Sequence, residues 1–207
     1  MVHTNQFSRG NLPHWLVSDR PYFVTICLHG VLPKTKREEY WSEYQSLQAD
    51  DSSRSLDKDR FLQLEKILDS ATDYNWMSQQ NVADLVFSNL AWLEDARGWC
   101  IYAASIMPNH MHMVIRNHTG RNHKLIEDLA QFKGYSGRQC NELLSRDGSF
   151  WARESFDHWC RDDAKVLSAI RYTLNNPVKA GLVPEWHLWS WSRVHEDFRE
   201  VMDAAGS

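Results

Sequence analysis

Two histidines stand two residues apart in the run Ile106-Met107-Pro108-Asn109-His110-Met111-His112-Met113-Val114-Ile115. Strand side chains alternate between faces, so His110 and His112 point one way while Met111 and Met113 point the other, into a core. Two imidazoles on one sheet face are placed to share a divalent metal. A bare His-x-His is also how two polar positions on a solvated face look, so the weight of the metal reading comes from the rest of the chain. A second set of chemical groups lies in Lys133-Gly134-Tyr135-Ser136-Gly137-Arg138-Gln139. Tyr135 and Gln139 are four apart and share a helix face. If that face meets the His strand, Gln139 offers a third ligand and Tyr135 brings a phenol oxygen close to the ion. Such a set suits phosphoryl transfer with Mg2+ or Mn2+, in which a tyrosine attacks a polarised phosphate and holds it as a phosphotyrosine. Lys133 and Arg138 are candidates to hold phosphates. Tyr172, on the next predicted helix, is the fallback nucleophile, although Ile170 and Leu174 beside it suggest a packing role.

The elements that must position these groups follow from pattern. Tyr22 to Leu28 is rich in aromatic and β-branched residues and reads as a strand, ended by Gly30. A charged helical stretch begins at Lys34, and Gln48 to Ser55 reads as a polar, acidic loop. Phe61, Leu64, Ile67 and Leu68 recur at helical spacing, which predicts a helix over about 57–69. Ser78 reads as the N-cap of a helix with Val82, Leu85, Val86, Leu90 and Leu93 on its apolar stripe, closed by Arg97-Gly98. Trp99 to Ile106 reads as a strand joined to the His strand through Pro108-Asn109, whose residue types favour a turn. A long helix is predicted from His123 to Ser145. Phe150 to Cys160 reads as a loop and short strand, followed by a helix capped by Asp162 or Asp163 and stopped at Asn175-Asn176-Pro177. Residues 1–20 read as irregular and 196–207 as a mobile polar tail. The resulting strand–helix–strand–strand–helix–strand order predicts an α+β, ferredoxin-like antiparallel sheet with helices on one face.

The 207 residues read as a single domain over 1–207, with a polar acidic insertion at about 33–57. The formal net charge is -4, which does not mark the whole molecule as a nucleic-acid binder. The charge is uneven, however. Residues 116–193 carry 12 Lys+Arg against 9 Asp+Glu, directly after the His pair, and local field governs polyanion binding. Arg153, Arg161 and Lys165 join Lys133 and Arg138 as candidate DNA contacts, with Arg171 beside them. Glu154, Asp157 and His158 read equally as loop-pinning or DNA-facing groups. Trp151 can stack on a base, but next to Phe150 it reads more readily as core. The four cysteines show no zinc spacing and read as reduced, buried residues. No apolar run spans a membrane, and no signal peptide is visible, so a cytoplasmic protein is expected.

Together these segments resemble the single-tyrosine HUH transposases, most closely the REP-associated tyrosine transposases of bacteria. The resemblance is carried by Asn11-Leu12-Pro13-His14-Trp15, Met107-Pro108-Asn109-His110-Met111-His112, Lys133-Gly134-Tyr135 with Asn141, and Phe150-Trp151 through His158. It continues in Asn175-Asn176-Pro177-Val178-Lys179-Ala180-Gly181-Leu182-Val183 and Trp189-Ser190-Trp191-Ser192. It implies cleavage and rejoining of single-stranded DNA near hairpins, with His110 and His112 as metal ligands, Gln139 at the third-ligand position and Tyr135 as nucleophile. It implies hairpin DNA as partner and a monomer or homodimer. Two other readings are a domesticated hairpin-binding protein that does not cut and a phosphodiesterase that uses water in place of tyrosine.

Overall fold

The computed structural model describes residues 20–32, 64–71, 73–119 and 124–203, and the backbone of residues 4–9 and 13–17. Its centre is a five-stranded sheet made of β3 (Tyr22–Cys27), β4 (Trp99–Ile106), β5 (His110–Asn117), β6 (Phe156–Trp159) and β7 (Ser192–Val194). The order across the sheet is β6-β3-β5-β4-β7, with every neighbouring pair antiparallel. The first four strands reproduce the expected ferredoxin-like frame, with the His strand β5 in the middle. Two further strands, β1 (Thr4–Arg9) and β2 (Pro13–Val17), form a separate antiparallel hairpin where irregular chain was expected. Pro13 opens β2, a strand position that tolerates a missing N–H.

Strand alternation sorts the sheet into two faces. Ile26, Met111 and Ile106 lie in register on one face, as do Val24, Met113 and Ala104. They join the larger core with helices α2 (Gln80–Ser88), α3 (Leu90–Arg97) and α4 (Leu125–Leu143), which contribute Val82, Val86, Leu90, Leu93, Leu125, Leu129 and Phe132. The other face carries Phe23, Thr25, Val114, His112 and Ser105. It is covered by α5 (Asp163–Lys179), through Val166, Ile170 and Leu174. The helices of the frame therefore share one face, and α5 is an addition that crosses the opposite one.

Several boundaries differ from the sequence reading for local reasons. The single helix expected after Ser78 is two helices, α2 and α3, that meet at Asn89, and Ser78 closes a short 3-10 turn (Trp76–Ser78) instead of capping α2. Asp162 is the cap of α5, accepting from the Lys165 backbone N–H. That helix does not stop before Pro177 but runs on to Lys179. Pro177 removes only the bond its own N–H would give to the Thr173 carbonyl, and the end of the helix is held by Ala180 N–H to the Asn176 carbonyl and Leu182 N–H to the Pro177 carbonyl. The segment expected as a mobile tail contains a further helix, Glu196–Asp203, anchored by buried Met202. The helix expected over 57–69 is α1, described from 64 to 70; its beginning and the insertion at 33–57 lie outside the described residues.

Gly98 and Gly137 show how backbone and space require glycine in the helices that pack on the sheet. Gly98 ends α3 with φ 67°, in the left-handed region, while the Thr119 side chain sits where a β-carbon would go. Gly137 lets α4 approach Phe150 and Trp151, whose atoms would lie 3.2 Å from an added β-carbon. Trp151 is accordingly core, its indole N–H bonded to the Ser136 hydroxyl.

Candidate metal centre

The turn at Pro108-Asn109 does more than reverse the chain. Asn109 Nδ2 donates to the Leu68 and Ala71 carbonyls at 2.7 and 2.8 Å, which satisfies the C-terminal end of α1. With its amide nitrogen committed, Asn109 presents Oδ1 to His110 Nδ1 at 2.6 Å. A carbonyl oxygen only accepts, so His110 carries its proton on Nδ1 and directs the Nε2 lone pair inward. The partner of His112 Nδ1 is the buried Thr25 hydroxyl on the neighbouring strand, at 2.9 Å. The two rings lie edge to face with centroids 4.6 Å apart, both buried.

Two other elements reach the same place. Glu65, on α1 and 1% exposed, puts Oε1 3.4 Å from His112 Nε2. Its Oε2 accepts from Asn176 Nδ2 at 3.2 Å. Tyr172 and Asn176, one turn apart on α5, complete the pocket. The Tyr172 ring meets His112 edge-on at 5.6 Å, and Asn176 Nδ2 also lies 3.3 Å from the phenol oxygen. Ligand atoms of Glu65, His110 and His112 all lie within 4.8 Å of one another, a spacing that can hold a metal ion.

The electrostatics favour the ligand forms. Burial, reinforced by the charge of His112, pushes the His110 imidazolium down to about 3, so the ring is neutral at physiological pH. Burial alone would raise the Glu65 carboxyl, but the closeness of the His112 imidazole, 3.4 Å from Oε1, and help from the Tyr172 phenol bring it down to about 2. The Tyr172 phenol is pushed well above the usual tyrosine range by burial and by the Glu65 charge. Glu65 Oε1, His110 Nε2 and Asn176 Oδ1 are buried with no hydrogen-bond partner among the described residues. Three buried acceptors gathered beside two imidazoles, one of them on a carboxylate, are a donor set that fits a divalent metal.

The structure brings His110 and His112 together on one face, as alternation requires. It does not bring Tyr135 and Gln139 to them. Those two lie on α4, whose buried stripe packs against the Met111 face. Gln139 Oε1 accepts from Asn89 Nδ2 at 2.9 Å, its Nε2 donates to Tyr135 Oη at 3.3 Å, and Tyr135 is 46% exposed. Lys133 turns back onto the Ala152 and Arg153 carbonyls, at 3.2 and 2.6 Å, and burial lowers its ammonium to about 8. Arg138 and Arg153 are exposed. Arg161, stacked over Trp159, and exposed Lys165 flank the start of α5.

Sequence reasoning missed Glu65 and Asn176. Glu65 follows a long insertion with no motif around it. Asn176 carried a readable signal, the four-residue step from Tyr172, which the expected helix stop at Pro177 obscured.

The five-stranded antiparallel sheet with its His-x-His pair on the central strand has the α+β fold of the HUH type. The resemblance to REP-associated tyrosine transposases is shown by two comparisons. The chain is 27% identical over 105 residues to a Haemophilus influenzae protein named "Putative REP-associated tyrosine transposase", a match covering 47% of this chain and 60% of that protein. A solved structure titled "Structure of the REP associates tyrosine transposase bound to a REP hairpin" shares the fold, with a TM-score of 0.57 and 14% identity over 94% of this chain and 88% of that one. No protein-family model matches the chain. Among the described residues, no helix is long and apolar enough to cross a membrane.

Proposed function

We propose that this protein is a metal-dependent DNA strand transferase that nicks and rejoins single-stranded DNA beside hairpins through a phosphotyrosine bond, with Tyr172 as the nucleophile. The observation that carries this reading is the convergence of Tyr172 with His110, His112 and Asn176 in one buried pocket. The likeness to a transposase solved with a REP hairpin supports hairpin DNA as the partner.

The ion would be held by His110, His112 and the Asn176 amide oxygen, and Mg2+ or Mn2+ would supply Lewis-acid polarisation of the scissile phosphate. This chain's own residues do the rest. Asn109 and Thr25 fix the imidazoles by their Nδ1 atoms. Asn176 orients the Tyr172 phenol while its oxygen faces inward. In cleavage, the Tyr172 oxygen forms a bond to phosphorus as one strand P–O bond breaks, and the phenolic proton leaves to a base or water. The departing strand oxygen takes up a proton, and joining reverses the exchange with another strand end. Arg161, Lys165 and Arg171 are exposed and would contact the phosphate backbone. The His pair and Tyr172 come from one chain, so a monomer is sufficient for the chemistry.

The test is labelled hairpin DNA with a single-stranded flank, incubated with Mn2+ or Mg2+ and run on a denaturing gel. Cleavage with a covalent adduct, lost in Tyr172→Phe, supports the proposal. Hairpin binding without cleavage supports the domesticated binder, and cleavage that survives Tyr172→Phe without adduct supports a water-using phosphodiesterase.

A further inference from the structure

We infer that Glu65 is a further ligand of this ion and that the site selects a first-row divalent cation of the Mn2+ kind over Mg2+, an inference that rests on the metal reading above. Glu65 belongs neither to the His strand nor to the tyrosine helix. Its helix is nonetheless fixed in place: Leu64 and Leu68 are buried in the main core, and Asn109, the residue that sets the His110 tautomer, also ties down the helix end. The carboxylate is therefore aimed at the imidazoles by packed structure.

An ionised carboxylate at 1% exposure is disfavoured unless it is compensated. One oxygen is compensated. Glu65 Oε2 accepts from Asn176 Nδ2 and faces Lys179 Nζ at 4.0 Å. That lysine is a weak partner, because it is 48% exposed and lies closer to Asp69, at 3.1 Å. The other oxygen, Oε1, has no hydrogen bond and points into the space shared with His110 Nε2 and Asn176 Oδ1. A water molecule brings two protons and no charge to these three acceptors. A divalent cation answers all of them and offsets the carboxylate.

The donor set then fixes the class of ion. Mg2+ prefers oxygen ligands and keeps much of its water, whereas two imidazoles with one carboxylate suit Mn2+, Fe2+ and their neighbours. The carboxylate also cancels one unit of the ion's charge, which adapts a buried site to a cation in the absence of DNA.

The experiment is isothermal titration of the full-length, metal-free protein with Mn2+ and, separately, Mg2+, using wild type, Glu65→Gln, Glu65→Asp and His110→Ala, with circular dichroism as a check on folding. Expected are tighter binding of Mn2+ than Mg2+ by wild type and a Mn2+ affinity at least ~10-fold weaker in Glu65→Gln. Glu65→Asp, which keeps the charge but withdraws the carboxylate by one methylene, should also bind more weakly, and it carries the test if Glu65→Gln does not fold. Unchanged Mn2+ affinity in the folded Glu65 variants, with binding lost in His110→Ala, would overturn the role of Glu65 and leave the proposed function standing. Equal affinity of wild type for Mg2+ and Mn2+ would overturn the selectivity. Binding that is absent in wild type, or indifferent to His110→Ala, would remove the metal reading itself.

Discussion

Helices α4 and α5 each carry a tyrosine and a carboxamide at the same spacing, Tyr135 with Gln139 and Tyr172 with Asn176, and they sit on opposite faces of one sheet. On α4 the tyrosine is exposed and the amide is spent on Asn89. On α5 the tyrosine packs against His112, and the amide divides its nitrogen between Glu65 and the phenol, leaving its oxygen free to face the pocket. Helical spacing alone makes both pairs equivalent. What separates them is strand parity: His110 and His112 share a face with Val114, and Val114 packs with Ile170 and Leu174 of α5. A motif read along one element acquires its chemistry from the element across from it.

The sharpest way to break this comparison is to remove groups from each helix and from the His strand. His110→Ala or His112→Ala should reduce DNA cleavage by ~10^3-fold or more, the scale expected when part of a catalytic unit is lost. Hairpin binding should survive, since phosphate contacts elsewhere carry it. Gln139→Ala should leave cleavage close to wild type. A gel assay that shows Gln139→Ala as damaging as His110→Ala would restore α4 to the site.

A smaller effect is expected at Asn109. Asn109→Leu removes the acceptor that holds the His110 proton on Nδ1 and both bonds to α1. Metal affinity, measured by titration, should fall by ~10- to 100-fold, as for other groups that orient a ligand, and the melting temperature should drop with it. Affinity that is unaffected would show that packing alone orients the ring.

Acid sensitivity distinguishes the two faces further. The folded-state pKa of His110, about 3, lies below its ordinary value of 6.5, so between these limits the unfolded chain binds a proton that the folded one does not. Stability is therefore complete above pH 6.5 and is lost as pH falls toward 3, by up to ~1.4 kcal/mol per pH unit from this one group. Denaturant titrations of metal-free protein from pH 7 to 4 should show this slope, and His110→Gln should flatten it. No flattening would mean that His110 is not held neutral. The smallest effect belongs to α4. Gly134 is exposed, and an added β-carbon there meets nothing within 4 Å, so Gly134→Ala should raise stability by about 0.5–1 kcal/mol with cleavage unchanged. Loss of activity in that variant would mean that the outer surface of α4 takes part in the reaction.

Much of this was legible in the sequence because it rests on period and punctuation. Tyr22 to Cys27 declared a strand by its residue types, Gly98 ended α3, and alternation put both histidines on one face. The α5 boundary was obscured by Pro177, which the helix absorbs because only its last two residues, Val178 and Lys179, follow. That expected stop kept Asn176 from being paired with Tyr172, while the bonds of Lys133 to the Ala152 and Arg153 carbonyls could not be read from sequence because they depend on a contact between distant segments. Glu65 was invisible for the same reason: its partners His112 and Asn176 lie far along the chain.

The central claim is that the nucleophile lies on the His face. Its most direct test is mass spectrometry of the covalent adduct trapped on hairpin DNA with Mn2+, followed by proteolysis. A nucleotide remnant on the peptide containing Tyr172, with no adduct from Tyr172→Phe and full capture by Tyr135→Phe, is the predicted result. A remnant on the Tyr135 peptide, or capture that persists in Tyr172→Phe, would contradict the account.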